Sequence, residues 1–253
     1  MMNREVQLMD KYQQLSEMIA QSERIVFFGG AGVSTESGLP DYRSKDGKYT
    51  AMRQSNDDPK KIMHIDYLMQ HPEKFFAHYV DDTKAEPNRA HHILAKWERT
   101  GKTVDIITQN VDSLHQQAGS TSVIELHGDN RSWYCMDCGH TVAYTEVHPE
   151  AEVPYCKRCG GLMRPNVIYF GEMPDRHVIE QARNIIAQGD LLLIAGTSLT
   201  VSPARYLIRS FAGTSVVVIN TEAIEVRVVP VDLCFQAPVG QVLEVVDTIL
   251  AKT

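Results

Sequence analysis

No stretch of the 253 residues approaches the roughly 18 consecutive apolar residues that a membrane-spanning helix needs, so no membrane association is expected. The opening segment MMNREVQLMDKYQQ scatters charge where a secretion signal would require an apolar core, and the expected location is the cytoplasm. Positive charge is also short: 25 Lys and Arg stand against 32 Asp and Glu, a formal net charge of -7. A chain of that sign gains nothing from displacing counterions on DNA or RNA, so no nucleic-acid partner is expected, while a basic segment would be weakly attracted. Cysteine is sparse as well. Of five, four fall into two Cys-x-x-Cys pairs and Cys234 stands alone, which in a reducing compartment reads as a metal site rather than a disulfide framework. Low-complexity tracts and fixed-period repeats are absent, which excludes disorder, collagen and solenoids.

What is present is an alternation of two periods. Leu8, Tyr12, Leu15 and Ile19 recur at helical spacing, and Ile25 to Phe28 form a short apolar strand stopped by Gly29 and Gly30. Pro87 to Thr100 reads as a helix with Gly101 as its stop, followed by strands at Val104 to Thr108 and Val123 to Leu126. The last third repeats the rhythm: a strand at Asn166 to Phe170, a helix at Pro174 to Ala187, a strand at Leu191 to Ala195, a helix at Pro203 to Phe211, a strand at Val216 to Ile219 and a helix at Val239 to Leu250. Such alternation predicts an α/β fold: a parallel sheet with helices on both faces, binding its ligand beyond the carboxyl ends of the strands. Two stretches break the rhythm. Residues 46–87 are polar, with helical pieces at Ile65 to Met69 and Pro72 to Tyr79, and residues 131–165 hold the paired cysteines. The expected division is therefore 1–45, 88–130 and 166–253 for the large domain, and 46–87 with 131–165 for a small domain made of two insertions.

Cys135 and Cys138 are followed, after 17 residues, by Cys156 and Cys159. Two such knuckles at this distance are a strong zinc signal, and four thiolates fill a tetrahedral shell, so the ion should be structural. The insert is too short to hold a core without it. Its four basic residues (Arg131, Lys157, Arg158, Arg164) are matched by four acidic ones (Asp137, Glu146, Glu150, Glu152), leaving no basic face for nucleic acid.

After the first strand comes Gly30-Ala31-Gly32-Val33-Ser34-Thr35, whose glycines would let the backbone approach a pyrophosphate. A dehydrogenase fingerprint would place a third glycine at Thr35 and an acidic strand end about 20 residues on, where Ser44 to Thr50 forms a loop. Hydride transfer therefore loses ground. Beside the loop stand Pro40-Asp41-Tyr42-Arg43. Other strand ends carry Gln109-Asn110-Val111-Asp112, His127-Gly128, Gly196-Thr197-Ser198 and Asn220-Thr221-Glu222. Polar groups gathered at one sheet edge describe a single cleft, and their donors and acceptors suit ribose hydroxyls and carboxamides.

Taken in order, these motifs, the cysteine pairs and Phe170-Gly171-Glu172 resemble the sirtuin family over residues 30 to 220. The departures are Gly29 where the family has Thr, Tyr42 for Phe and Val111 for Ile. The resemblance implies a Rossmann-like domain with a small zinc-ribbon and helical domain, and an NAD-consuming protein-lysine deacylase. In that chemistry the acyl-lysine carbonyl oxygen attacks C1′ of the nicotinamide ribose. Nicotinamide leaves, and a histidine-assisted ribose hydroxyl then resolves the imidate to lysine and O-acyl-ADP-ribose.

Carried over, His127 is the general base and Asn110 positions the ribose, while Asp112 and the Val111 backbone hold the carboxamide. Asp41, Tyr42 and Arg43 belong to the segment that closes over the cofactor. Gly30, Ala31, Gly32, Ser34, Thr35, Gln109, Gly196, Thr197, Ser198, Asn220, Thr221, Glu222 and the backbone at Val239 complete the NAD site. Acyl-lysine would run as an added strand between Ile168–Glu172 and Val201, with Ile168, Phe170 and Gly171 lining its tunnel. Family members that take succinyl groups carry a Tyr-x-x-Arg pair. Here Tyr79-Val80-Asp81-Asp82 sets Asp82 at the arginine position, which favours neutral acyl groups. His115 is expected to pack rather than react. The alternatives are an ADP-ribosyltransferase or NAD glycohydrolase on the same fold and, from another class, a zinc-ribbon binding module.

Overall fold

The computed structural model describes residues 4–45, 47–54, 58–77, 84–147, 149 and 152–252. Six parallel strands form the large sheet: β1 (Arg24–Gly29), β2 (Thr103–Thr108), β3 (Val123–Glu125), β7 (Leu191–Ala195), β8 (Ser215–Asn220) and β9 (Leu233–Gln236), in the spatial order β3-β2-β1-β7-β8-β9. The other three, β4 (Gly128–Cys135), β5 (Thr141–Ala143) and β6 (Met163–Val167), make a separate antiparallel sheet in the order β5-β4-β6. The large sheet reverses its winding between β1 and β7, and a ligand crevice opens at the carboxyl ends of strands at such a point.

Strand periodicity sorts the core. Ile25, Phe27, Ile106, Leu193 and Ile219 face the helices Arg4–Gln21, Arg89–Arg99 and Val239–Leu250. The intervening Val26, Phe28, Ile107, Ile194 and Val218 pack on Ala182 and Ile186 of the helix Arg176–Gln188 and on Leu207 and Ile208. Central strands buried on both faces read as continuous apolar runs, which is why β1 and β7 stand out in the sequence. The helix over β1 and β2 starts where Asn88 and His91 form a capping box, and Asp175 caps the next long helix by accepting from the His177 amide at 2.6 Å.

Two expectations need correction. The strand expected at Asn166 to Phe170 is Met163–Val167, and it joins the antiparallel sheet by pairing with β4. Its continuation keeps one further bond toward β4, the Ile168 amide donating to the His127 carbonyl, and then turns away as Phe170 exchanges bonds with Met63 and Ile65. Pro203 to Phe211 is not one helix but the short Ala204–Leu207 followed by a 3-10 turn at Ile208–Ser210. β9, with alternating buried and exposed residues, and the antiparallel β4 were not foreseen. The expected domain limits at 130/131 and 165/166 fall inside β4 and β6. Tyr79 to Asp82, where the acyl preference was read, lies outside the described residues.

Under the site end of the sheet two histidine rings meet edge to face, His91 and His115, with centroids 4.6 Å apart. His115 also packs on Phe27. The His91 Nδ1 accepts from the Asn88 amide, while its Nε2 and both ring nitrogens of His115 are buried without a hydrogen-bond partner. Burial, with His92 adding to it, pulls His91 down to about 4, and burial, with His91 adding to it, holds His115 well below its ordinary value. The unfolded chain therefore binds protons below pH 6.5 that the folded chain refuses. Stability is full above about pH 6.5 and is expected to fall with decreasing pH by about 1.4 kcal/mol per unit for each histidine still neutral in the folded state. Urea unfolding between pH 7 and 5 measures this; His115→Phe should flatten the decline, and an unchanged slope would contradict the account.

Candidate active site and metal centre

The cleft is built from two glycine turns in contact. β1 ends at Gly30, whose amide donates to the Ala195 carbonyl at 3.1 Å, and Gly32 donates to the Gly196 carbonyl at 2.8 Å. A Cβ on Gly30 would lie 2.8 Å from the Gly196 oxygen. Gly196 itself sits at φ +57, and a Cβ there would stand 2.4 Å from the Val33 nitrogen. The chain then enters two 3-10 turns, Ala31–Val33 and Thr35–Ser37, instead of a long helix. This departs from the dinucleotide fold of dehydrogenases at the place where the sequence departs from their fingerprint.

Around this contact lies an open cleft. Gly30, Ala31, Gly32 and Thr35 form its floor, with Gly196, Thr197 and Ser198 after β7, Asn220, Thr221 and Glu222 after β8, and Val239 at the start of the last helix. Gln109, Asn110 and Val111 follow β2, and His127 follows β3. The expected substrate residues Ile168, Phe170, Gly171 and Val201 line the same cleft, as do Asp41, Tyr42 and Arg43. Ser34 and Asp112 do not reach its wall. They lie buried behind it, the Ser34 hydroxyl donating to Asp112 Oδ2 at 2.6 Å and receiving the Asn110 side-chain amide at 3.0 Å. The Leu114 amide occupies Asp112 Oδ1. Burial raises the Asp112 carboxyl above its ordinary range against these hydrogen bonds.

Among the described residues, His127 is tied by one nitrogen. Its Nδ1 lies 2.9 Å from the Gln109 carbonyl oxygen, which selects the tautomer protonated there and leaves Nε2 as the basic atom. Burial lowers its pKa, opposed by that backbone bond. Gln109 is itself fixed, its side chain donating to Thr197 Oγ1 at 3.0 Å.

The segment Asp41 to Tyr49 folds back on itself. Asp41 Oδ1 accepts from the amides of Arg43 and Ser44, and the Tyr49 amide donates to the Tyr42 carbonyl. The Tyr42 and Tyr49 rings stand 5.3 Å apart with Arg43 over Tyr49, and burial pushes the Tyr49 phenol up to about 12. Sequence reasoning missed Tyr49, Met63 and Tyr169 on the cleft wall. Their only signal was apolar character in stretches without clear periodicity.

The four paired cysteines come together as expected, with their sulfurs all within 4.8 Å of one another. Four thiolates about 2.3 Å from a shared tetrahedral zinc would be about 3.8 Å apart, so the donor set fits that ion without rearrangement. The amides of Cys138 and Asp137 help lower the Cys135 thiol to about 7. Trp133, two residues away and fully buried, packs with Phe76 beneath the knuckles. Cys234 is exposed and apart from them.

The Sir2 family profile matches residues 30–203. An NAD-dependent protein deacetylase of Clostridium acetobutylicum is 42% identical over 243 residues, covering 94% of this chain and 99% of its own length. A protein of the same description from Clostridium tetani is 43% identical over 216 residues, 84% of this chain and 87% of its own. Among solved structures, a Sir2-p53 peptide-NAD+ complex superposes with a TM-score of 0.83 at 32% identity, covering 96% of this chain and all of that one. A Sir2 histidine variant bound to a deacetylated p53 peptide and 3'-O-acetyl ADP-ribose gives 0.82 at 31% identity, over 94% of this chain and 98% of that one.

The purified chain is expected to carry a single zinc by elemental analysis. A strong chelator should red-shift the fluorescence of the buried Trp133 as the antiparallel sheet loosens. Full retention of that emission after zinc loss would refute the structural role.

Proposed function

The chain belongs to the Sir2 family, and we propose that its cleft carries out NAD-dependent protein-lysine deacetylation with His127 as the general base. The observation that carries the assignment is the one-sided tether of His127: Nδ1 is held by the Gln109 carbonyl, and the ring lies on the cleft wall beside Asn110. NAD enters as a substrate and is cleaved. Its pyrophosphate lies against the glycine turns at Gly30–Gly32 and Gly196–Ser198, and its adenosine toward Asn220–Glu222 and Val239. Asn110 meets the nicotinamide ribose. The Val111 backbone and Asp112 behind it receive the carboxamide. Ser34 and Thr35 hold the loop, and Asp41, Tyr42 and Arg43 close over the reacting end, excluding water. The acyl-lysine chain crosses between Ile168–Gly171 and Val201. The acyl oxygen takes C1′ as nicotinamide leaves; His127 Nε2 then removes the proton of a ribose hydroxyl as that oxygen closes on the carbon derived from the acyl group, lysine departs as the amine, and one water adds to that carbon to give O-acetyl-ADP-ribose.

Labour is divided between a large domain that holds NAD and a small one, stapled by zinc, that completes the far wall of the cleft. We place the reaction in the cytoplasm. No described helix is long and apolar enough to cross a membrane. Acyl groups that are neutral suit the site better than succinyl, because Asp82 would repel a carboxylate.

Mass spectrometry of an acetyl-lysine peptide with and without NAD tests the assignment directly: loss of acetyl should require NAD and yield nicotinamide and O-acetyl-ADP-ribose. His127→Ala should still bind NAD but lose about 10²–10⁴-fold in product formation. Nicotinamide release that ignores acyl-lysine would instead indicate a glycohydrolase. Because burial lowers His127, the acid limb of kcat/KM should fall below pH 6.5, the rate dropping as Nε2 is protonated. A limb displaced above 7 would contradict that. Faster removal of succinyl than acetyl from the same peptide would overturn the acyl preference.

A further inference from the structure

The segment that follows β6 into the cleft lies beyond the strand and is pinned by isolated backbone bonds, Ile168 to His127 and Phe170 to Met63 and Ile65. Ile168, Tyr169, Phe170, Gly171 and Glu172 all line the cleft, yet they lie beyond the strand and turn sharply at Gly171, where φ is +90. Between and beyond those bonds, the turn Tyr169–Glu172 is held by one buried side chain. Arg164 stands on β6, its side chain only 2% exposed, and forms no part of the cleft wall. Its Nη1 donates to Glu172 Oε1 at 2.7 Å and its Nη2 to Glu172 Oε2 at 2.8 Å, a fork meeting both oxygens of one carboxylate. The same Nη2 donates to the Val167 carbonyl, and Nε reaches the Pro165 carbonyl at 3.4 Å. The guanidinium lies over the Tyr169 ring at 4.7 Å and the Tyr134 ring at 5.5 Å. Glu172 Oε2 then receives the Tyr169 amide at 2.9 Å, and the Glu172 amide returns to the Tyr169 carbonyl at 3.1 Å, closing the turn.

We propose that Arg164 is a positioning residue for the peptide substrate: by gripping Glu172 from beneath it fixes the backbone of Tyr169–Glu172 in the form that receives the acyl-lysine chain. The inference rests on the deacetylase reading of the cleft. Stability alone does not account for the pair, since well-packed apolar residues can replace a buried ion pair at little or no cost in folding. They cannot supply a bidentate fork, two carbonyl contacts and an anchor for the Tyr169 amide together. Burial would raise the Glu172 carboxyl, but Arg164 and the Tyr169 amide outweigh it and hold the group below its ordinary range, so the grip persists across the working pH. Arg164 also neighbours Met163, which pairs with Cys135, so the cysteine knuckles seat the residue that seats the substrate loop.

Steady-state kinetics with an acetyl-lysine peptide and NAD, run on Arg164→Met, Arg164→Lys and Glu172→Gln, separate the possibilities. Arg164→Met should raise the peptide KM toward the order of 10²-fold expected when a reacting chain is misplaced by about 1 Å, with the NAD KM unchanged. Arg164→Lys, which keeps the charge without the fork, should recover part of the loss. Hydrogen exchange at the Tyr169 amide should accelerate in Glu172→Gln while β1 and β7 stay protected. Should Arg164→Met not fold, the other two variants carry the same comparison. Peptide and NAD KM values rising together, or an unaltered peptide KM and Tyr169 exchange in both Arg164→Lys and Glu172→Gln, would overturn the proposal. A wild-type chain that leaves acetyl-lysine untouched would overturn the deacetylase reading instead, and faster Tyr169 exchange would then still report the grip.

Discussion

The site depends on how closely two backbone turns approach each other at the ends of β1 and β7. Adjacent parallel strands run about 4.8 Å apart, and their following loops ordinarily diverge to opposite faces of the sheet. Here they touch instead: the Gly32 amide bonds the Gly196 carbonyl, and either glycine turn would collide with a Cβ on the other. That contact creates a floor of backbone with no side chains above it, which an extended anionic ligand can lie along. The polar ends of β2, β3 and β8 gain meaning from it, since each can then address a different part of one long ligand.

A second constraint comes from outside the sheet. The far wall of the cleft is the segment after β6, and β6 belongs to the antiparallel sheet beneath the cysteine knuckles. A three-stranded sheet with so small a core needs a staple, and four converging sulfurs supply the donor set for one. The metal centre and the cleft are thus linked through ordinary covalent continuity: Cys135 pairs with Met163, and five residues later the chain is in the cleft. His127 lies at the same junction, its carbonyl receiving the Ile168 amide while its ring is held by Gln109. One residue joins the NAD side to the substrate side.

Much of this was legible in the sequence because its signals were local. β7 was placed at its true ends, since a doubly buried strand between a helix and a glycine turn has sharp edges in composition. The zinc ligands were legible because chelation fixes residue type and spacing together. What escaped was decided by pairing at a distance. β6 contains Pro165 and lacks alternation, and only its partner β4 reveals that it is antiparallel and belongs to the other sheet. β9 alternates over four residues, too short a pattern to rise above its valine-rich surroundings. The Ser34–Asp112 bond was also beyond the sequence, although both residues belong to the motifs expected to hold NAD. Their seats behind the wall follow from a contact spanning 78 residues that no spacing rule encodes.

That buried pair shows how a motif shapes the cleft from behind its wall. A hydroxyl and a carboxyl joined at 2.6 Å behind the cleft cost desolvation and contribute no wall surface. In this structure they hold the Asn110 side chain through Ser34 and fix the chain after it through the Leu114 amide. Asn110 has one side-chain amide nitrogen, and Ser34 directs it. Its carbonyl oxygen is thereby oriented as well, because the two ends of a planar amide cannot turn independently. In the proposed reaction, a residue that presents a chosen atom to a sugar needs its other atom occupied, and the same logic would govern His127, whose Nδ1 is taken and whose Nε2 is left as the basic atom. The cleft thus prepares its reactive groups by pairing the half of each that is not meant to react.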